Sequence, residues 1–179
     1  MNMKKNTTLR MVATAMMACV SYVLSTFVYF PHMAPFQHMM NVLTACLLGP
    51  VSAFAAACIT GLMRMILGGR TIQALIGACV GAPIGGILFL IAFKATKNYI
   101  KGAAAAVVGE SIGTGVLSAL LVYPFMVAFY GISPETPFWF YVPYYVPSAV
   151  CGALIGFAII TILVKAGTWQ RMKAMIDGE

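Results

Sequence analysis

Four apolar runs, at about residues 10–29, 72–93, 103–129 and 144–164, are each long enough to cross a bilayer, and nothing else in the sequence limits the fold so tightly. A spanning helix needs about 20 apolar residues. Inside lipid every backbone N–H and C=O must be bonded within the segment, so uniformly apolar runs of this length are helices. Composition agrees, with 61% hydrophobic and only 8% charged residues, against about 25% charged in a soluble domain. The expectation is an all-α membrane protein, one transmembrane domain over residues 1–179.

The region 38–67 is ambiguous, because Gly49-Pro50 interrupts it. As one kinked helix it makes five spans; as two short ones, 38–48 and 51–67, it makes six. Short cytoplasmic loops collect Lys and Arg, which decides the matter. Six spans with the N-terminus inside put nine basic residues on the cytoplasmic face (Lys4, Lys5, Arg10, Lys94, Lys97, Lys101, Lys165, Arg171, Lys173) against two outside (Arg64, Arg70). Five spans divide them five against six. The expected topology is therefore six transmembrane helices with both termini cytoplasmic. Ala13-Thr14-Ala15 has the form of a signal-peptidase site, but too few apolar residues precede it, so 10–29 reads as a retained first helix.

The net charge of +7 lies in short clusters between apolar runs, which is a membrane-loop pattern and argues against nucleic-acid binding. All five cysteines (Cys19, Cys46, Cys58, Cys79, Cys151) fall inside apolar runs without a C-x-x-C pair, and read as small buried residues rather than disulfide or metal ligands. No P-loop is present. Of the four acids only Glu110 lies within a span, so the chain has no pair of membrane carboxylates for ion coupling. H-E-x-x-H does not occur, and the chain reads as no enzyme, with no cofactor and no metal.

Against this background the polar residues stand out. Gln37, His38 and Asn41 adjoin an apolar segment, where an unpartnered hydrogen-bonding group costs roughly 2–7 kcal/mol. Arg64 adds a guanidinium near another. His32, Gln37, His38, Asn41, Arg64, Gln73, Trp139, Tyr144 and Tyr145 gather on or beside the outer face, so a site there opens outward. Each has a plainer reading. His38 and Asn41, three apart, share a helix face and could bond neighbouring helices. Gln37 and His32 could be solvated, and Arg64 could snorkel. Arg70 reads as a solvated loop charge. Glu110 lies about eight residues, roughly 12 Å, into a helix that starts inside, far from an outward site, so pairing within the bundle is expected. Phe138, Trp139, Phe140, Tyr141, Tyr144 and Tyr145 form either an interfacial belt or a stacking surface for a planar ligand. Small-xxx-small strips run along the first helix (Thr14 to Ala18, Ala15 to Cys19) and later ones (Gly77, Gly81, Gly85; Gly109, Gly113). Such strips allow close helix approach; the first could face a separate protein.

Pro35-Phe36-Gln37-His38-Met39-Met40-Asn41-Val42, Leu48-Gly49-Pro50, Leu62 to Arg64, Leu67-Gly68 and Gly109-Glu110-x-Ile112-Gly113-Thr114-Gly115 resemble the ThiW family. Its members are substrate-binding S components of energy-coupling factor (ECF) vitamin transporters, and the resemblance runs from the first helix to the sixth. It implies the six-helix S-component fold, a prokaryotic plasma-membrane location and capture of hydroxyethylthiazole, the thiazole precursor of thiamine. It also implies docking on a transmembrane coupling protein with two ATPase subunits. In that frame Gln37, His38 and Asn41 would hydrogen-bond the small heteroaromatic precursor, with Arg64 and Gln73 nearby. Tyr123, Trp139, Tyr144 and Tyr145 would stack on its ring. Thr14, Ala15 and Ala18 would dock on the partner, although Thr14 stands where the family has alanine. Where the family tends to read R-N-L-L-G-T-G-T-x-x-A-F-P-G-S, this chain runs from Arg64 to Ala78 with Ile76 and Ala78 in place of Pro and Ser, and with Arg70 and Gln73 as added polar groups. An S component for another vitamin, or a structural subunit of a membrane complex, are the alternatives.

Overall fold

The computed structural model describes residues 7–28 and 34–178. Lys4, Lys5 and His32 lie outside them. Every regular element described is helical: α1 (Thr7–Phe27), α2 (Pro35–Leu48), α3 (Pro50–Ile66), α4 (Gln73–Cys79), α5 (Gly81–Thr96), α6 (Tyr99–Ile112), α7 (Ala119–Tyr130), α8 (Val142–Lys165) and α9 (Thr168–Asp177). A π-helical turn, Gly113–Ser118, joins α6 to α7. Among the described residues four stretches are long and apolar enough to cross a membrane: Thr7–Phe27, Gln73–Thr96, Tyr99–Tyr130 and Val142–Lys165. They coincide with the four apolar runs of the sequence.

The ambiguous region is two helices. Gly49 ends α2 with φ +88°, a conformation that costs glycine nothing, and Pro50 opens α3 at its first turn. At 1.5 Å per residue α2 is about 21 Å long and α3 about 26 Å, both short of a hydrocarbon core of about 30 Å. The shortness of α2 is tolerable because protein surrounds it: twelve of its fourteen residues are buried, against α1, α3, α5, α6 and α8. Its polar side chains meet helices rather than lipid.

The glycine strips of the later helices pack the bundle internally. A Cβ on Gly109 would lie 2.7 Å from the Gly85 Cα, and one on Gly113 2.7 Å from the Gly81 Cα, so α5 and α6 touch backbone to backbone. Strips on α1 divide: Thr14 and Ala18 are buried, and Ala18 carries no exposed surface. The Thr60 hydroxyl of α3 donates to the Ala18 carbonyl at 3.1 Å. Ala15 and Cys19 stay exposed.

Beyond α8 the sequence suggested only a basic cytoplasmic tail, yet residues 168–177 form the amphipathic α9. Trp169 and Ile176 join the core around Val42, Leu48, Phe89 and Ile160. Lys173 Nζ donates to the Leu47 carbonyl at 2.9 Å, neutralising the C-terminal dipole of α2. Asp177 accepts from Arg10 at 3.0 Å and pairs with Lys173 at 3.3 Å. The helix closes one end of the bundle mainly by apolar burial, since partly exposed ion pairs contribute at most about 1 kcal/mol. Trp169→Ala is expected to cost about 3–5 kcal/mol and Arg10→Ala less than about 1 kcal/mol. Denaturant unfolding of the detergent-solubilised protein, followed by Trp and Tyr absorbance, checks both.

Candidate ligand cavity

At the end of the bundle away from α9, the first turns of α2, α4 and α8 and the last turn of α3 surround a cavity of about 500 Å³. Each wall has a local cause. Pro35 starts α2 with a pre-set φ, so Gln37 and His38 fall in its first turn and reach the cavity. The Ala34 N–H donates to the Ser148 hydroxyl of α8 at 2.9 Å, fixing the entry to α2. Arg64, 7% exposed, ends α3, where a cation suits the helix dipole. Its guanidinium donates to the side-chain amide oxygen of Gln37, Oε1, tying α3 to α2. The turn after it returns through the Arg70 N–H to the Arg64 carbonyl at 3.1 Å, which brings Arg70 and Thr71 to the rim.

An aromatic wall completes the cavity. Tyr141 and Tyr145 meet edge to face, centroids 6.4 Å apart, and Phe140 sits 5.6 Å from Tyr144. Gly77 gives the Tyr145 ring its place: a Cβ there would lie 3.1 Å from the ring. Burial pushes the Tyr141 phenol above its ordinary pKa, so it stays neutral.

Behind His38 lies a polar cluster. Its Nδ1 donates to Glu110 Oε1 at 2.9 Å. The same oxygen accepts from the Asn41 amide at 2.9 Å and the Thr114 hydroxyl at 3.0 Å. Thr114 sits in the π-helical turn one step beyond Glu110, a local irregularity of the type that often accompanies functional sites. Gly81 makes room for the carboxylate: a Cβ on it would stand 2.6 Å from Oε2. With Nδ1 committed to Glu110, the other ring nitrogen of His38 is left for whatever enters the cavity.

Of the residues expected from sequence, Gln37, His38, Arg64, Gln73, Tyr144 and Tyr145 line the cavity. Three stand elsewhere. Asn41 lies behind the wall, bonded to Glu110 and to the Ala78 carbonyl. Tyr123 faces the α7 core cluster, and its hydroxyl donates to the Pro134 carbonyl at 3.1 Å, holding the 131–141 connection. Trp139, 54% exposed, sits in that connection as an interfacial aromatic would. Gln73 also reaches the Met126 sulfur at 3.4 Å. Glu110 pairs within the bundle as expected, but not far from the site: α2 begins so deep that its fourth residue, His38, already reaches the carboxylate. Arg70, read as a loop charge, and Phe140, Tyr141 and Ser148 also line the cavity. Tyr141, Tyr145 and Ser148 follow the i, i+4, i+7 spacing of one helix face, and that spacing was the available signal.

Among the described residues no group of three His, Cys, Asp or Glu could hold a metal. The chemistry on offer is recognition: aromatic faces, amide and hydroxyl partners, one imidazole and two guanidinium groups. Several membrane-length apolar helices around such a cavity define a multi-pass membrane protein. Residues 11–166 match the family model of the thiamine-precursor transporter protein, ThiW, and the chain belongs to that family. It is a membrane transport component for a thiamine precursor, and the family is one of transporters, not enzymes. No curated protein and no solved structure matches the chain.

The Glu110 cluster should be structural and positional at once. Glu110→Ala leaves the His38 and Asn41 donors buried without their acceptor, and each such group costs about 1–3 kcal/mol. Trp139→Ala should stay within about 0.5 kcal/mol of the parent. Thermal unfolding in detergent at pH 7 measures the difference.

Proposed function

We propose that the chain is the substrate-capturing S component of an ECF-type vitamin uptake system in a prokaryotic plasma membrane, and that its ligand is hydroxyethylthiazole. The observation that carries this is the cavity, which sets tyrosine faces against the hydrogen-bonding groups of Gln37, His38 and Ser148. A thiazole ring stacks on Tyr141, Tyr144 or Tyr145, while the free nitrogen of His38 meets the ring nitrogen or the hydroxyl. Asn41 and Glu110 position His38 from behind.

Six crossings with both termini cytoplasmic suit the structure: the Arg10–Asp177 ion pair puts both ends of the described chain on one side. An even number of crossings follows if the bundle spans a membrane. The cavity then opens on the face with few basic residues, the outside. A chain with neither P-loop nor paired membrane carboxylates draws its energy from a partner, here a transmembrane coupling protein with two ATPase subunits. On α1 the surface free to dock is Ala15 and Cys19, beside a groove shared with Val51, Ser52, Ala55 and Ile59. Thr14 also lines that groove, whereas Ala18 is spent on internal packing.

Purified protein should gain thermal stability with hydroxyethylthiazole in proportion to the logarithm of its concentration, and with none of a panel of complete vitamins. His38→Ala should weaken that binding by about 1–3 kcal/mol; stabilisation by another vitamin alone would replace the assignment. Ala15→Trp should abolish coupled uptake in cells while the isolated protein binds as before. Ala18→Trp should lower the unfolding temperature instead, because overfilling a packed contact costs about 1–3 kcal/mol or more.

A further inference from the structure

The hydrogen bonds behind the cavity wall fix what His38 can offer a ligand, and Asn41 supplies the starting point. Its amide nitrogen bonds the Ala78 carbonyl at 3.3 Å. A carbonyl only accepts, so the amide cannot be turned over. The same nitrogen therefore donates to Glu110 Oε1 at 2.9 Å. An oxygen that accepts from Asn41, and from Thr114 at 3.0 Å, is an acceptor rather than the O–H of an acid. The 2.9 Å contact with His38 is then a donation from Nδ1–H. In a neutral imidazole with that proton on Nδ1, Nε2 is bare and accepts. His38 lines the cavity and makes no other hydrogen bond with a described residue. Nor is Nε2 enclosed without a partner, as Glu110 Oε2 is.

The neighbours of His38 are polarised the other way. A guanidinium only donates, so the bond from Arg64 holds Gln37 Oε1 and turns the amide N–H2 away from it. Gln37 makes no second hydrogen bond with a described residue. The Ser148 hydroxyl accepts from the Ala34 N–H at 2.9 Å and keeps its own O–H to give. Gly152, one turn further along α8, brings Ser148 beside α2: a Cβ on it would lie 2.8 Å from the His38 Cβ. Gln37, His38 and Ser148 thus share one side of the cavity, with an accepting nitrogen set among donors. A ligand matches that pattern only if it donates at one end and accepts at the other.

We propose that neutral His38 selects its ligand for a hydroxyl group, taking the O–H on Nε2, while the Gln37 amide and the Ser148 hydroxyl donate to the ring nitrogen. This rests on the thiamine-precursor reading and deepens it: the substrate class is an azole alcohol, and Glu110 sets the selection by holding the proton on Nδ1. An arm that only accepts, such as an ether, would set lone pair against lone pair at Nε2. Two measurements on the purified full chain test this at about pH 8, where an ordinary histidine is neutral. The chain has two histidines, so His32→Gln leaves His38 as the single reporter for nitrogen-15 NMR. Its ring should show Nδ1 protonated and Nε2 bare, and hydroxyethylthiazole should shift the Nε2 resonance. A bare Nδ1 or a doubly protonated ring overturns the inference without any change at His38. Calorimetry then compares hydroxyethylthiazole with its fluoroethyl analogue, which is close in size and has no O–H, and with its methyl ether. The alcohol should bind roughly 10-fold tighter than either. His38→Ala should bring that ratio towards one, and Arg171→Gln at the far end should leave it as in the parent. Gln37→Glu, which keeps an oxygen for Arg64 but loses the N–H2, should weaken all three ligands alike. Equal binding of alcohol and fluoroethyl analogue overturns the inference and leaves the precursor reading standing. A preference that survives His38→Ala overturns the histidine assignment. No binding of any azole, with binding of an unrelated vitamin, overturns both.

Discussion

A carboxylate in the middle of an apolar bundle is the constraint around which the structure is arranged. Glu110 has no exposed surface, and moving an ionised carboxylate from water to such a place is prohibitive unless it is hydrogen-bonded. His38, Asn41 and Thr114 all donate to its Oε1, joining α2 to α6 and the π-helical turn. The arrangement dictates other residues. Gly81 must lack a side chain so that α5 can pass beside Oε2, and the extra residue of the π-helical turn sets where Thr114 points. It also fixes the face of α2, because His38 and Asn41, three apart, must both look toward α6. Once that face is set, Gln37 necessarily turns toward Arg64 on α3.

The short central helix follows from the same logic. A helix of about 21 Å exposed to lipid would leave unbonded backbone at both ends inside hydrocarbon. Surrounded by protein, α2 instead terminates where other groups receive it. Ser148 meets the chain at one end and Lys173 at the other. The space above its first turn is what a longer helix would have filled, and that space is the cavity. The hydrogen-bonding residues could not have been carried by a lipid-facing helix, where each would have lacked a partner.

The sequence revealed the skeleton because hydrophobic length and backbone satisfaction act locally. Four helices were legible from run length, and Gly49-Pro50 marked the break between α2 and α3. Six of the expected site residues line one cavity because membrane segments tolerate Gln, His and Arg only with a purpose. What stayed hidden depended on pairing between distant positions. Asn41 was indistinguishable from His38 until Glu110, 69 residues away, was placed beside it. Tyr123 and Tyr145 have the same composition signal, but one is held by Pro134 and the other lies on Gly77. Helix α9 was missed because its charged residues outnumber its anchors, although Trp169 and Ile176 are seven apart and so share a face. Of the strips on α1, spacing could show that two existed, but only burial separated the one facing α3 from the one left outside.

The walls of the cavity are braced against one another rather than against a ligand. Arg64 holds Gln37, Ser148 receives the Ala34 N–H, and the Tyr145 ring lies on Gly77. Helices α3 and α8 are thereby locked to the helix that also carries His38, and α4 is locked to α8. A site assembled in this way loses little side-chain freedom when it is filled, so more of the contact energy remains as affinity. Tight capture from a dilute exterior benefits from such bracing, while release does not. A braced cavity gives up its contents only when some other interaction moves its walls. The small-residue face of Ala15 and Cys19 lies on α1, outside the braced elements that form the cavity. If a partner docks there, as proposed, it reaches the cavity walls through α3, which shares the groove beside Ala15 and carries Arg64.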